Sequence, residues 1–346
     1  MKKEKSGKVT LANVLAVIGL VLLLVFLWLG QSLRNGELGG MSAIISLLVT
    51  AGAALLLWMM IKAKSTDPST SQWKAIEYGT LAVYLLLAVF TAPLALNFFS
   101  VVSNKAKLQA TARKDLNNID QEIREFKLQE LKYAQKTADG LNNVWRGKSG
   151  GYEPNAPLAR FIMEQTKVKT IAELDKDVVD VWLSDWEKAI DQVNLAKLSG
   201  ASKDLDGVEP QKYGPVWEEK LKSSTQAVDN WQLLKIPVAI SNIKSLSEEV
   251  GVTLTAFSKN TPFQSIKLDK GQYVLDKKSM KAKYHVSSQV QDEIKSLSPY
   301  TVLGIAAMVL THLLILFNYL MTKRPSRGMV FEAGHTVPER GVLLDF

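Results

Sequence analysis

Residues 9–33 read VTLANVLAVIGLVLLLVFLWLGQSL and contain no Asp, Glu, Lys or Arg. At about 1.5 Å of rise per residue, a helix of roughly 20 apolar residues crosses a hydrocarbon layer about 30 Å thick. Three further uncharged stretches are equally long, and they cover residues 38–61, 78–104 and 296–322. The sequence therefore predicts four transmembrane helices, three close to the N-terminus and one close to the C-terminus.

A polar segment of ordinary domain size separates the third uncharged stretch from the fourth. The predicted organisation is an N-terminal segment (1–8), three spans within 9–104 (about 10–30, 41–61 and 78–100), a domain (105–298), a fourth span (299–321) and a tail (322–346). We predict an α-helical integral membrane protein with a 3+1 arrangement of spans. Its domain is expected to be mainly helical, with a small β element.

Positive charge is concentrated in the short segments beside the predicted spans. These residues are Lys2, Lys3, Lys5, Lys8, Lys62, Lys64, Lys74, Lys323, Arg324 and Arg327. The positive-inside rule then places both termini in the cytoplasm and the large domain outside it, in a periplasm if the membrane is a bacterial inner membrane. The net charge of +8 fits orientation and attraction to membrane lipids, so we expect no nucleic-acid partner.

The domain is expected to begin with a long helix over residues 104–140 that continues from the third span. Leu116, Ile119, Ile123 and Phe126 follow a 3-4-3 spacing, which places them in one narrow apolar seam on an otherwise charged helix. Such a seam requires a partner, either in this domain or in another subunit. We list these four residues as candidate partner-binding positions.

Residues 252–286 are predicted to form the small β element. Short β-branched or alternating runs at 252–257, 263–268 and 272–275 are separated by turn residues, a pattern typical of strands. A group of tryptophans precedes this region and provides either a partner-binding surface or the domain core. The group consists of Trp182, Trp186, Trp217 and Trp231.

Catalytic and metal-binding patterns are not evident in the sequence. The chain has no cysteine, which removes thiolate chemistry and cysteine-based metal sites. Its three histidines, His285, His312 and His335, fall in three different predicted compartments and cannot form a triad within one chain. We therefore expect no enzymatic activity, no cofactor and no metal.

Polar residues inside the predicted spans are a second class of candidate site. His312 and Asn318 fall in the fourth span, and Asn97 falls in the third. An ionisable residue inside a membrane is a functional hypothesis by default, whereas a hydrogen bond to a neighbouring helix is the structural alternative.

The C-terminal tail carries apolar residues although it is too short to bury a core. Phe331, Leu343, Leu344 and Phe346 are candidate anchors for a partner groove. Packing against the protein's own surface, or lying in the lipid interface, is the alternative.

These features favour a membrane anchor or scaffold subunit of a multiprotein cell-envelope assembly, such as a secretion or motility machine. Its expected partners are other membrane or envelope proteins, in a homo- or hetero-oligomer, together with membrane lipids. A sensor that signals through a separate cytoplasmic partner is the first alternative. An oligomeric channel or transporter is the second, although the scarcity of polar residues in the spans argues against it.

Overall fold

The computed structural model describes residues 10–36, 39–66, 71–147, 156–193, 213–276 and 284–324. The chain divides into two compact units. The first, which we call the bundle, contains the described residues up to Lys105 and from Glu293 onward. The second, which we call the inserted unit, is Ala106–Asp292.

Four helices in the described part of the bundle are long and apolar enough to cross a membrane. They are α1 (Leu11–Asn35), α2 (Gly40–Ser65), α3 (Ser71–Ser103) and α10 (Val302–Met321). The Thr10 hydroxyl accepts a hydrogen bond from the backbone N–H of Asn13 and so caps α1. Gly36 ends the same helix in a left-handed conformation, with φ 72°. The four helices indicate a multi-pass membrane protein, as the sequence predicts.

Helix α1 is central in the bundle because it contacts α2, α3 and α10. Two glycines allow its close approach to neighbouring helices. A Cβ at Gly19 would lie 2.7 Å from Cγ1 of Ile315 on α10, and a Cβ at Gly30 would collide with the backbone carbonyl of Leu94 on α3. Small residues at such contacts are the usual means by which membrane helices pack.

The inserted unit is mostly helical. Its elements are α4 (Lys105–Arg146), α5 (Pro157–Thr166), a 3₁₀ turn (Ile171–Glu173), α6 (Lys176–Asp191), α7 (Tyr213–Asp229), α8 (Ile236–Asn260), β1 (Ile266–Asp269) and β2 (Gln272–Leu275). Helix α9 (Val290–Ser296) begins in this unit and ends in the bundle. A single residue, Asn104, separates the end of α3 from the start of α4. Helix α4 extends six residues beyond the predicted limit at residue 140.

Aromatic side chains form the core of the inserted unit. Phe126 of α4 packs against Phe257 of α8 and against Tyr284, with ring centroids 5.9 and 5.6 Å apart. Trp186 of α6 lies edge-on to Phe263, with centroids 5.0 Å apart. Trp182, Trp186 and Trp217 are buried, which supports the core interpretation of these three tryptophans.

The sheet is smaller than the sequence predicts. Strands β1 and β2 pair antiparallel, with Ile266 opposite Leu275, and the described part of the chain contains this one two-stranded sheet. The predicted strand at 252–257 is wrong, since these residues belong to α8. Ile243, Val250 and Phe257 are completely buried on one face of α8. Burial of that face outweighs the β preference of the local residues.

The apolar seam of α4 lies largely inside the inserted unit. Leu116, Ile119 and Phe126 are buried, whereas Ile123 is partly exposed. The seam therefore has a partner within its own unit, which is one of the two possibilities that the sequence leaves open. Partner binding through these positions stays a prediction.

Candidate functional site: polar contacts in the helix bundle

His312 lies on α10 and contacts α3. Its Nδ1 atom is 2.8 Å from the hydroxyl oxygen of Tyr84, and the two rings meet edge-on with centroids 5.7 Å apart. A tyrosine hydroxyl that donates to Nδ1 leaves the proton of a neutral imidazole on Nε2. The Nε2 atom is buried and has no hydrogen-bond partner among the described residues. The contact links α3 to α10 inside the bundle.

The two predicted asparagines also link helices. Asn97 of α3 accepts a hydrogen bond from Nη1 of Arg34 on α1 through its Oδ1, at 3.4 Å. Asn318 of α10 donates through Nδ2 to Oδ1 of Asn13 on α1, at 2.6 Å. The three predicted intramembrane residues thus make three separate contacts with neighbouring helices. They do not form a common cluster in the described structure.

A buried carboxylate at one end of the bundle was missed by the sequence analysis. Glu77 of α3 has a side chain that is only 3% exposed. Its Oε1 accepts a hydrogen bond from the Tyr319 hydroxyl at 2.8 Å, and its Oε2 accepts one from Nη2 of Arg324, also at 2.8 Å. Glu77 directly precedes the third uncharged stretch, and the sequence alone names no partner for it. The carboxylate is held by Tyr319 of α10 and by Arg324, which lies three residues after the end of α10.

Lys64 at the end of α2 joins the same group of contacts. Its Nζ atom donates to the backbone carbonyl of Tyr319 at 2.7 Å and lies 4.4 Å from the centroid of the Tyr319 ring. Three helices, α2, α3 and α10, therefore meet around one carboxylate and two cations. We call Lys64, Glu77, Tyr319 and Arg324 the end cluster.

One sequence signal could have revealed the end cluster. Glu77 is the single acidic residue directly before the third uncharged stretch, and Arg324 is the second residue after the fourth. The positive-inside rule places both on the same side of the membrane, where opposite charges on neighbouring helices tend to pair.

Phe331, Leu343, Leu344 and Phe346 lie outside the described residues. Within the described part of the chain, no group of three or more His, Asp or Glu side chains could hold a metal ion. Comparisons with protein-family models, curated proteins and solved structures returned no match to this chain.

Proposed function

We propose that the chain is a non-enzymatic anchor or scaffold subunit of a multiprotein cell-envelope assembly. In this proposal the bundle lies in an inner membrane with both termini in the cytoplasm, and the inserted unit lies outside the cytoplasm. The two units have separate apolar cores, as an anchor that carries a binding domain requires. The lysines and arginines beside the spans support the proposed orientation.

The observation that carries the proposal is the use of polar side chains within the bundle. His312, Asn318 and Asn97 each contact another helix, and Glu77 is held by Tyr319 of α10 and by Arg324, which follows α10. Hydrogen bonds between helices fix a membrane bundle in one arrangement. A pore would instead direct such groups toward a water-filled path. The contacts therefore favour a fixed support over a channel.

The absence of cysteine in the sequence permits a direct test of orientation. Single cysteines are introduced as Leu268→Cys in the exposed part of β1 and as Lys323→Cys after α10. Intact cells are treated with a membrane-impermeant maleimide. We expect L268C to react at once and K323C to react only after the membrane is permeabilised. The reverse order would contradict the proposed orientation.

A second experiment identifies partners of the inserted unit. Val181→Cys and Val252→Cys lie at exposed positions of α6 and α8, and each is modified with a photo-crosslinker in the native host. Phe90→Cys, at an exposed position of α3, is the matched control in the bundle. We expect envelope proteins to be captured from the inserted unit and identified by mass spectrometry.

The other functions predict different crosslinks. A single kinase-like partner would favour a sensor. Crosslinks between copies of the chain at Phe90→Cys, with no other protein captured, would favour an oligomeric channel. Failure to capture any protein at Val181→Cys and Val252→Cys would contradict the scaffold proposal.

A further inference from the structure

A small cleft lies beside the end cluster, between the end of α2, the start of α3 and the residues that follow α10. Its lining residues are Ala63, Lys64, Thr66, Trp73, Lys74, Glu77 and Arg324. Three of these side chains are cationic and one is anionic. Because the anion, Glu77, is buried and already bound by Tyr319 and Arg324, the exposed wall of the cleft is positively charged.

Two of the cations retain hydrogen-bond donors for a ligand. Arg324 contacts both Glu77 and the Tyr78 hydroxyl through a single nitrogen, Nη2, at 2.8 and 3.3 Å. Its Nε and Nη1 make no hydrogen bond with the described residues. Lys74 is exposed and makes no hydrogen bond or ion pair within the described part of the chain. A guanidinium fork and an ammonium group are the donors that proteins use to bind phosphate oxygens.

Exposed apolar side chains lie within four positions of the cleft's lining residues in the sequence. Ile76 of α3, and Leu320 and Met321 at the end of α10, are exposed large apolar side chains. Both the cleft and these residues lie where uncharged helices end, which is the depth of the headgroups if the bundle crosses a bilayer. A phospholipid combines a phosphate with acyl chains, so each part of such a molecule has a matching surface here. A free phosphate ion would use only the cations.

We propose that this cleft binds the phosphate of an anionic phospholipid headgroup, with Lys74 and Arg324 as its cationic contacts. The inference rests on the proposed membrane placement and goes beyond the anchor function. Basic pockets between membrane helices are known to recognise anionic headgroups in this way. The lipid would sit against α3 and α10 and would stabilise their arrangement around Glu77.

The test uses the full chain, purified in detergent, and native mass spectrometry during titration with phosphatidylglycerol. Lys74→Gln removes a cation of the cleft. Lys62→Gln is the matched control, because the ammonium of Lys62 lies 4.8 Å from the centroid of the Trp58 ring and does not line the cleft. We expect K74Q to weaken phosphatidylglycerol binding about fivefold, the effect of one surface cation on an anionic lipid, and K62Q to leave it unchanged.

Two further ligands distinguish the source of the phosphate. Zwitterionic phosphatidylcholine should bind weakly to the unmodified chain and to both variants. Inorganic phosphate should not displace phosphatidylglycerol. If inorganic phosphate competes with the lipid and K74Q abolishes that competition, the ligand is a free phosphate ion and the lipid assignment is overturned. If K62Q and K74Q weaken phosphatidylglycerol binding equally, the assignment of the lipid to the cleft is overturned, since the lipid would then respond to diffuse surface charge.

Failure of the lipid site can be separated from failure of the anchor proposal. Alkaline carbonate extraction of native membranes reports whether the chain is integral to the membrane. A chain that resists extraction but binds phosphatidylglycerol and phosphatidylcholine equally would overturn the lipid site alone. Circular dichroism of K74Q and K62Q checks that both variants keep the helical content of the unmodified chain.

Discussion

In the bundle, Phe90 of α3 is 77% exposed, whereas in the inserted unit Phe126 of α4 is completely buried. Two polar pairs differ in the opposite direction. Tyr84 and His312 meet inside the bundle, while Asp120 and Arg124 pair on the surface of the inserted unit. The hydrophobic effect drives the packing of apolar side chains in water. Lipid is as apolar as a phenylalanine side chain, so burying that side chain in a membrane bundle gains no hydrophobic free energy. The surrounding solvent therefore decides what a given residue type contributes to each unit.

The same substitution, phenylalanine to alanine, should have very different effects on stability in the two units. Phe126→Ala should lower the free energy of unfolding of the inserted unit by about 3–5 kcal/mol, since it leaves a cavity beside Phe257 and Tyr284. Phe90→Ala should change stability by less than about 1 kcal/mol, because the exposed side chain contacts detergent or lipid in either state. Denaturant titration of the full chain in detergent, followed by pulse proteolysis, measures both. Equal losses of unfolding free energy in the two variants would contradict the proposed difference between the units.

The end cluster should be the most sensitive polar contact of the bundle. Arg324→Gln leaves the buried Glu77 carboxylate without its cation, and removal of one partner of a buried pair costs about 3–5 kcal/mol. Since the Arg324 side chain is 39% exposed, water screens part of this effect and we expect about 1–3 kcal/mol. Lys323→Gln, one position earlier and exposed, should stay within about 0.5 kcal/mol. Thermal unfolding in detergent compares the two variants, and similar melting temperatures would argue against the pair.

A third pair of variants compares a buried carboxylate with an exposed one on the same helix. Asp115 of α4 is 1% exposed, and its Oδ2 accepts hydrogen bonds from the backbone N–H groups of Gln289 and Val290, at 2.8 and 2.9 Å. Asp115→Ala should therefore cost about 1–2 kcal/mol through loss of the cap of α9. Asp120→Ala removes an exposed pair with Arg124 and should cost about 0.5 kcal/mol or less.

Hydrogen exchange locates the effect of these two carboxylate substitutions. Faster exchange at the start of α9 is expected for Asp115→Ala and not for Asp120→Ala. If both variants leave exchange at α9 unchanged, the contacts of Asp115 do not hold that helix.

Sequence patterns predicted the bundle well because each span is specified locally. Roughly 20 consecutive apolar residues can be read without knowing their neighbours. Strand β2 at Gln272–Leu275 was also predicted, since the turn residues 269–271 directly before it mark its start. Residues 252–257 were predicted wrongly because their β-branched composition is local, whereas the burial that makes them helical comes from packing of the whole of α8.

The contacts of the candidate site depend on residues far apart in the chain. Glu77 and Arg324 are separated by 247 positions, and His312 and Tyr84 by 228. Composition identified His312, Asn318 and Asn97 as polar residues inside spans, but it gave no partner for any of them. The burial of Glu77 follows from the packing of α10 on α3, which no local pattern encodes.

The smallest expected effect concerns Tyr284 in the core of the inserted unit. Its hydroxyl donates to Oε1 of Gln129 at 2.9 Å. Burial raises the pKa of Tyr284 above its usual value of about 10, and the carboxylate of Glu130 raises it further. When the pH rises past about 10, the unfolded chain loses the phenol proton before the folded chain does. The contribution of Tyr284 to the free energy of unfolding should therefore be constant below about pH 10 and fall above it.

Tyr284→Phe removes both the hydrogen bond and the titrating group. We expect a loss of about 1 kcal/mol at pH 8 and a shallower decline in stability above pH 10 than in the unmodified chain. Gln129→Leu is the control, because it removes the same hydrogen bond and leaves the phenol in place. Denaturant titrations at pH 8, 10 and 11 separate the two effects. A decline that is identical in Y284F and the unmodified chain would place the alkaline sensitivity at another group.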